Sequence, residues 1–366
     1  MLPLKEKGEY AVYLLEKRGF NTLDAIRLLQ KKYGFGKVYR LGLKDRYSYA
    51  FQYFASPTIR KEMIKEKNFS LRFLGFLERP LKNKDLLGNY FKITIRDLTE
   101  AEGEKIKNNF WEVSLYGFPN FYDEQRMGSA RHKEGFIAYY LIKKDYEKAL
   151  KLFLATPSSF DESKIKQFKK FLKENWGKWK EAKKFAVREY LPVIKYLIKN
   201  PNDYKGAIKK IPYELLSLFI NAYQAYIWNK TLNLYLKNLS VPLWEVNYRF
   251  GKLYFYKNLP FTIEEKLLTL SLPAPSPKIK EKNEWIEIME EVLKNEGLSL
   301  KKLKLNLKIR GLYFKPYLRK VIVLPSQIAI GKFLPDELYK GKYKLTLNFL
   351  LPPGAYATIL IKRLMI

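Results

Sequence analysis

Leu41-Gly42-Leu43-Lys44-Asp45-Arg46 sets one carboxylate between two cations at what reads as the end of a strand, and few other groups in this sequence could carry chemistry. There is no cysteine and a single histidine, His132, which excludes thiolate nucleophiles, cysteine-ligated zinc and histidine-pair acid–base schemes. His132 follows Arg131 in a polar stretch and reads as a surface or structural histidine. No Walker-type phosphate loop occurs. Gly34-Phe35-Gly36 has no third glycine at the spacing a dinucleotide turn needs, so no nucleotide cofactor is expected. Clustered carboxylates of the calcium-loop kind are also missing, and no metal is expected. Carboxylate chemistry remains, with Asp45 in the most suggestive setting. Residue types by themselves favour an ordinary turn aspartate there, the commonest fate of an aspartate after a strand.

The elements that must position this segment follow from local patterns. The spacing predicts a helix over Asn21 to Tyr33, capped by Asn21 or Thr22, lined on one side by Leu23, Ile26, Leu29 and Tyr33, and ended by Gly34. Lys37 to Leu43 reads as a strand delivering Lys44 and Asp45 to its end, and alternation resumes from Tyr47 to Phe54. Another strand is expected from Tyr90 to Asp97, with Phe91, Ile93 and Ile95 on one face. Thr99 with Glu102 makes a capping box that should start a helix running to about Trp111. After Gly117 the texture turns mostly helical, with Lys-rich amphipathic segments near 143–154, 161–175 and 213–237, and short strands near 250–256 and 304–324. Tyr343, Leu345, Leu347 and Phe349 alternate in a last strand, after which a Pro-Pro-Gly turn leads into a helix from about Ala355.

Composition limits the partners. The 366 residues suit two domains, and 47% hydrophobic content allows both to be packed. Lys plus Arg number 69 against 37 Asp plus Glu, a formal net charge of +32 spread along the chain. A charge of that size repels itself unless a polyanion is the partner, and counterion release from phosphates would then drive binding. Part of the excess fits the Lys- and Tyr-rich bias of thermophile proteins, but there Glu usually keeps pace with Lys. The 28 Tyr and 24 Phe offer flat faces for unstacked bases. No signal peptide is read at Met1 to Tyr10 and no long apolar run occurs, so a cytoplasmic protein with no membrane association is expected.

A set of motifs then points further. Gly42-Leu43-Lys44-Asp45-Arg46 with Gln52, Gly88-Asn89-Tyr90-Phe91 running into Ile93 and Arg96, Pro119-Asn120-Phe121-Tyr122-Asp123-Glu124-Gln125-Arg126-Met127-Gly128, Tyr223-Gln224-Ala225-Tyr226-Ile227-Trp228-Asn229, and Leu351-Pro352-Pro353-Gly354-Ala355-Tyr356-Ala357-Thr358 follow one another in order. Together they resemble the TruD family of tRNA pseudouridine synthases. The resemblance implies an α+β fold: a discontinuous, pseudouridine-synthase-like catalytic domain of roughly 1–117 and 325–366, with a mostly helical domain inserted over 118–324 and RNA in the basic cleft separating them. It implies isomerisation of a uridine of tRNA, at position 13, by a monomer without cofactor or metal. Asp45 would be the catalytic carboxylate and Lys44 a source of positive potential. Asn89 would hydrogen-bond near the base or orient Asp45, and Phe91 would stack on the extruded uracil. Gln52, Gln125 and Arg126 would support the site or touch RNA.

Each motif also has a structural reading. Phe91 shares a strand face with Ile93 and Ile95 and can be core, Tyr223 to Asn229 can simply pack, and the Pro-Pro-Gly turn can serve the backbone alone. The family's earlier segment, with a Lys and a Pro-Glu-Asp-Phe sequence, is not met before Gly8, so a cation and an aromatic contact are expected to be either absent or supplied from elsewhere. Asp123 and Met127 stand where the family commonly has Gly and Phe. The competing expectations are an RNA-binding protein or chaperone with decayed catalysis on the same scaffold, and a metal-dependent nuclease.

Overall fold

A computed structural model of the chain describes residues 2–42, 44, 46–57, 61–128, 134–158 and 161–366. The chain divides into two compact units, Met1–Asn89 and Tyr90–Ile366. In the first, Tyr10–Arg18 (β1) runs down the middle of a five-stranded antiparallel sheet. The helix Thr22–Tyr33 (α1) and the strands Tyr39–Arg40 (β2), Tyr49–Ser56 (β3), Met63–Lys65 (β4) and Phe69–Leu77 (β5) follow it, in the spatial order β2-β3-β1-β5-β4. β1 pairs with β3 from Ala11↔Ser56 to Arg18↔Tyr49 and with β5 from Tyr10↔Leu77 to Lys17↔Phe69. One face of the sheet, through Tyr13, Leu15, Phe54 and Leu71, packs on Ala25 and Leu29 of α1.

α1 begins and ends as its sequence dictates. Asn21 Oδ1 accepts from the Leu23 amide at 3.0 Å, and Gly34 takes the left-handed conformation, φ 67°. Its buried positions are Thr22, Ala25 and Leu29, whereas Leu23, expected on the inner side, is exposed. The strand expected over Lys37 to Leu43 contracts to Tyr39–Arg40, because Gly42 turns the chain at φ 70°.

In the second unit, Asn89–Leu98 (β6) continues across the division into Glu100–Tyr116 (α2) and Phe118–Pro119 (β7). The Thr99–Glu102 capping box is made in both directions, at 3.2 and 2.8 Å, and α2 runs past Trp111 to stop at Gly117. Helices Ile137–Ile142 (α3), Tyr146–Leu154 (α4), Ser163–Glu174 (α5), Trp179–Ala182 (α6), Leu191–Lys199 (α7), Tyr204–Ile208 (α8) and Tyr213–Lys237 (α9) form the helical section. The hairpin Trp244–Tyr248 (β8) and Gly251–Phe255 (β9) precedes Phe261–Thr269 (α10), Ser271–Pro273 (β10), Glu284–Asn295 (α11), Leu318–Lys320 (β11) and Ile322–Val323 (β12). Ser326–Ile330 (β13), Leu334–Pro335 (β14), Tyr343–Leu351 (β15) and Ala357–Leu364 (α12) complete the chain.

The C-terminal strand returns to the N-terminal part of this unit. β15 pairs with β6, β13 and β14 in a four-stranded sheet, and its Leu345, Leu347, Phe349 and Leu351 are buried, as period-two alternation requires. α9 differs from expectation: it is buried around most of its circumference, including Tyr223, Gln224, Ala225, Ile227, Trp228 and Asn229, rather than on one stripe. α3, α11 and β9 all pack on it, which leaves little of it for water. The architecture is thus α+β with antiparallel sheets, as expected.

Asp97 takes a left-handed conformation, φ 58°, just before Leu98 ends β6, and the nearby Asp336 carboxylate holds that turn. Asp336, 7% exposed, accepts from Arg96 at 2.7 Å, from the Asp97 amide at 3.1 Å and from the Leu338 amide at 2.9 Å. Burial alone would raise its pKa, but these donors to the ionised form hold it below the ordinary carboxylate value. A depressed folded pKa gives stability that is complete above the unfolded value, about 3.9, and is lost as pH falls toward the folded one. Melting temperature measured from pH 6 down to pH 3 is therefore expected to fall less steeply below pH 4 in Asp336→Asn than in the native chain.

Candidate active site

Leu41, Gly42 and Lys44 are held by side chains of β3 and α1; Leu43 and Asp45 lie outside the described residues. Gln52 on β3 points inward and is 3% exposed. Its amide donates to the carbonyls of Leu41 at 2.9 Å and Gly42 at 2.8 Å, so neither carbonyl is left unpaired where the strand breaks off. Its Oε1 accepts from Thr22 Oγ1 at 3.2 Å. That hydroxyl has one proton, and the Lys44 amide 3.4 Å away can donate to its lone pair. The backbone of Lys44 is thereby held at the first turn of α1, where helix N–H groups create positive potential. Lys44 Nζ donates to Asn89 Oδ1 at 2.5 Å. Lys17 of β1, 1% exposed, places its ammonium 3.5 Å from Ser48 Oγ, a buried cation three residues past Asp45 that no sequence pattern announced.

In the second unit, the third, fourth and fifth motifs meet around Arg319, which sequence reasoning passed over. This guanidinium is 8% exposed and donates to Asn120 O at 3.0 Å, Asn120 Oδ1 at 2.5 Å, Phe121 O at 3.4 Å and Gly354 O at 3.0 Å. It lies 3.9 Å from the centre of the Tyr122 ring and 5.9 Å from that of Trp228. Asn229 closes the arrangement from α9, exchanging two 2.8 Å hydrogen bonds with the Tyr122 backbone. Trp228 donates to Asn120 O at 3.3 Å, and the Tyr122 and Tyr317 hydroxyls share a proton at 2.5 Å. Desolvation pulls the Arg319 pKa down, and burial pushes Tyr317 and Tyr356 up, so both phenols stay neutral near pH 7.

The chain is similar to known proteins along nearly its whole length. The family model described as tRNA pseudouridine synthase D (TruD) matches residues 3–246 and 255–364. The "tRNA pseudouridine synthase D" of Aquifex aeolicus is 31% identical over 99% of this chain and 93% of its own length. A Methanocaldococcus jannaschii relative, "Probable tRNA pseudouridine synthase D 2", is 36% identical over 96% of this chain and 85% of that relative. The crystal structure of the TruD protein of Methanosarcina mazei superposes with a TM-score of 0.71 at 26% identity, covering 99% of this chain and 89% of that one. The chain belongs to the TruD family. It is therefore an RNA pseudouridine synthase, an enzyme of the isomerase class.

In this TruD-family chain Gln52, Lys44 and Asn89 come together through Thr22 and the Lys44 ammonium, all in the first unit. Phe91 lies on β6, half-buried, with its ring 5.4 Å from that of Phe349 and nearly parallel to it. Gln125 is exposed on a short 3-10 turn, Glu124–Met127, and Arg126 beside it is half-buried near Tyr317 and Tyr356. His132 lies outside the described residues. No group of three or more potential metal ligands occurs among the described residues, and no helix among them is long and apolar enough to cross a membrane.

Two stability predictions follow from this geometry. Gln52→Leu keeps the volume but strands the Leu41 and Gly42 carbonyls, and should cost about 2–4 kcal/mol. Arg319→Lys keeps the charge but loses the planar fork that serves four acceptors, and should cost a similar amount, about 2–4 kcal/mol. Urea denaturation checks both; a change within 0.5 kcal/mol in either variant would contradict the corresponding assignment.

Proposed function

We propose that this synthase converts uridine 13 of tRNA to pseudouridine, with Asp45 as the catalytic carboxylate. The observation that carries the proposal is the bracing of its loop: Gln52 and Thr22 hold the backbone on both sides of Leu43, and Lys44 is tied to Asn89. Effort of that kind is spent where one side chain must be presented in one geometry.

The reaction breaks the bond from uracil N1 to ribose C1′, turns the base, and joins C1′ to C5. The proton on C5 leaves, N1 gains one, and nothing is oxidised or consumed. Asp45 acts in its ionised form, by attack on C1′ or by removing the C2′ proton to give a glycal. Lys44 is next to it in the chain and has its amide held at the first turn of α1, and the Lys17 ammonium is buried beside Ser48 of the same loop. Positive potential from these groups favours the ionised carboxylate. Once the uridine is extruded from the folded RNA, Phe91 supplies the face that replaces its lost stacking, backed by Phe349. Asn89 accepts from Lys44 and so orients the cation, while Gln125 and Arg126 meet the RNA backbone.

The catalytic domain in this reading is 1–117 with 325–366, and 118–324 is the insertion. Support comes from β15 pairing with β6, and from β7 pairing with β12 at Ile322↔Pro119 and Val323↔Phe118. The two passages of the chain into and out of the insertion would then run side by side.

Asp45→Ala should abolish pseudouridine formation at position 13 while leaving tRNA affinity within a few-fold. Isomer mapping on tRNA incubated with the purified chain reads the first quantity and filter binding the second. Full activity in the variant would remove Asp45 from the mechanism, and an unchanged uridine 13 with pseudouridine elsewhere would reassign the substrate.

A further inference from the structure

The sheet of the first unit has one face on α1; the opposite face is covered at one end, where Val12, Ala55 and Leu77 pack with Leu41 and Leu81, and is open at the other. Along β3 the inward side chains are Gln52 and Phe54, and the outward ones are Tyr49, Phe51 and Tyr53, 61%, 50% and 42% exposed. Tyr47, in the turn just before the strand, continues the row at 89% exposed. Large aromatic side chains in an unbroken exposed row cost solubility, and a contiguous patch of this kind marks an interaction surface. The charges around it select the partner. Arg18 is opposite Tyr49 on β1, Arg72 is opposite Leu14 on β5, and the Arg46 guanidinium lies 5.6 Å from the centre of the Tyr47 ring. Glu16, opposite Phe51, is the acidic group on this face; it accepts from the Tyr49 hydroxyl and from Ser70 Oγ at 3.3 Å, so it anchors a ring of the row.

We propose that this face is a stacking platform for an unpaired segment of RNA, an inference that rests on the chain being an RNA-modifying enzyme but assigns a surface that the isomerisation itself does not require. Alternate residues of a strand stand about 6.8 Å apart, twice the roughly 3.4 Å rise between stacked bases along one strand of a duplex. The Tyr49 and Phe51 rings meet edge to face, their centres 5.1 Å apart, so bases laid on them would be turned relative to one another, which suits an unpaired strand rather than a helix. Rings recognise the π-face of any base, so the platform tolerates sequence, and the flanking arginines take the phosphates. A second protein would meet the same rings, but the arginines and a chain charge of +32 favour a polyanion.

The test uses the full chain and a fluorescently labelled octauridylate. Tyr49→Ala/Phe51→Ala/Tyr53→Ala should weaken binding at least tenfold, while Tyr49→Phe/Tyr53→Phe, which keeps the rings, should bind within twofold of the native chain. Arg18→Gln/Arg72→Gln should reduce the slope of log affinity against log salt by about 1.4, at about 0.7 per phosphate contact on a single strand. With tRNA as substrate, the triple alanine variant should show a raised KM and an unchanged kcat. Equal octauridylate affinity in the native and triple alanine chains, at equal melting temperatures, would overturn the platform, as would a change confined to oligomeric state. Because octauridylate binding needs no turnover, a chain inactive on uridine 13 would refute the substrate assignment and leave this measurement valid.

Discussion

A buried guanidinium without a carboxylate partner among the described residues organises the second unit. Taking Arg319 out of water costs several kcal/mol, and no opposite charge repays it directly. Repayment is spread over three carbonyl oxygens, the Asn120 side chain and the faces of Tyr122 and Trp228. Those acceptors sit in two segments far apart in sequence, 120–121 and 354, and the rings add α9. Each must be in place for the cation to be tolerated, so the arrangement is all-or-none. The strand from β11, the third motif, the long helix and the C-terminal turn are thereby tied to one another, and β15 and α12, which follow or precede that turn, inherit their placement.

What the sequence discloses and what it hides divide along the range of the interactions involved. The Asn21 cap, the Gly34 stop, the Thr99–Glu102 box and the alternation of β15 all rest on contacts within a few residues, and each is legible. β1 is not, because Ala11, Val12 and Tyr13 are buried in succession. A central strand covered on both faces loses the alternation that reveals an outer one. The strand expected up to Leu43 is stopped three residues early by a turn whose carbonyls Gln52 satisfies from β3. Arg319, in Leu318-Arg319-Lys320, is one basic residue among many in the sequence, and its burial is decided by Asn120, some two hundred residues away. Lys17 is hidden for the same reason.

The motifs carry two different kinds of information. Gln52 spends its amide on main-chain carbonyls and its oxygen on Thr22, so its place in the sequence follows from the turn and the strand that it holds together. Asn120, Asn229, Trp228 and Gly354 likewise serve Arg319 and the backbone. Read as structure, these residues explain why the motifs must occur in order along the whole chain. A carboxylate reaction needs few chemical participants, and the remaining residues of the motifs are free to define where those participants stand.

Charge follows a similar division. Three interior cations find partners, Lys169 in Asp161 at 2.8 Å, Arg363 through one nitrogen in Glu112 at 2.8 Å and Lys257 O at 3.0 Å, and Arg319 in its carbonyls, while Arg363 Nε and Nη1 have no hydrogen-bond partner among the described residues. Most of the remaining lysines are on the surface, where isolated ion pairs contribute little to stability. The excess of +32 therefore has its consequences outside the fold rather than within it. It raises the local concentration of a polyanion and makes its capture salt-dependent. Within the first unit, by contrast, Lys17 and Lys44 are partly or fully enclosed next to the loop of Asp45, where screening is weak. The surface charge can bring RNA to the enzyme, whereas the enclosed ammonium groups of Lys17 and Lys44 are held in place by Ser48 and Asn89.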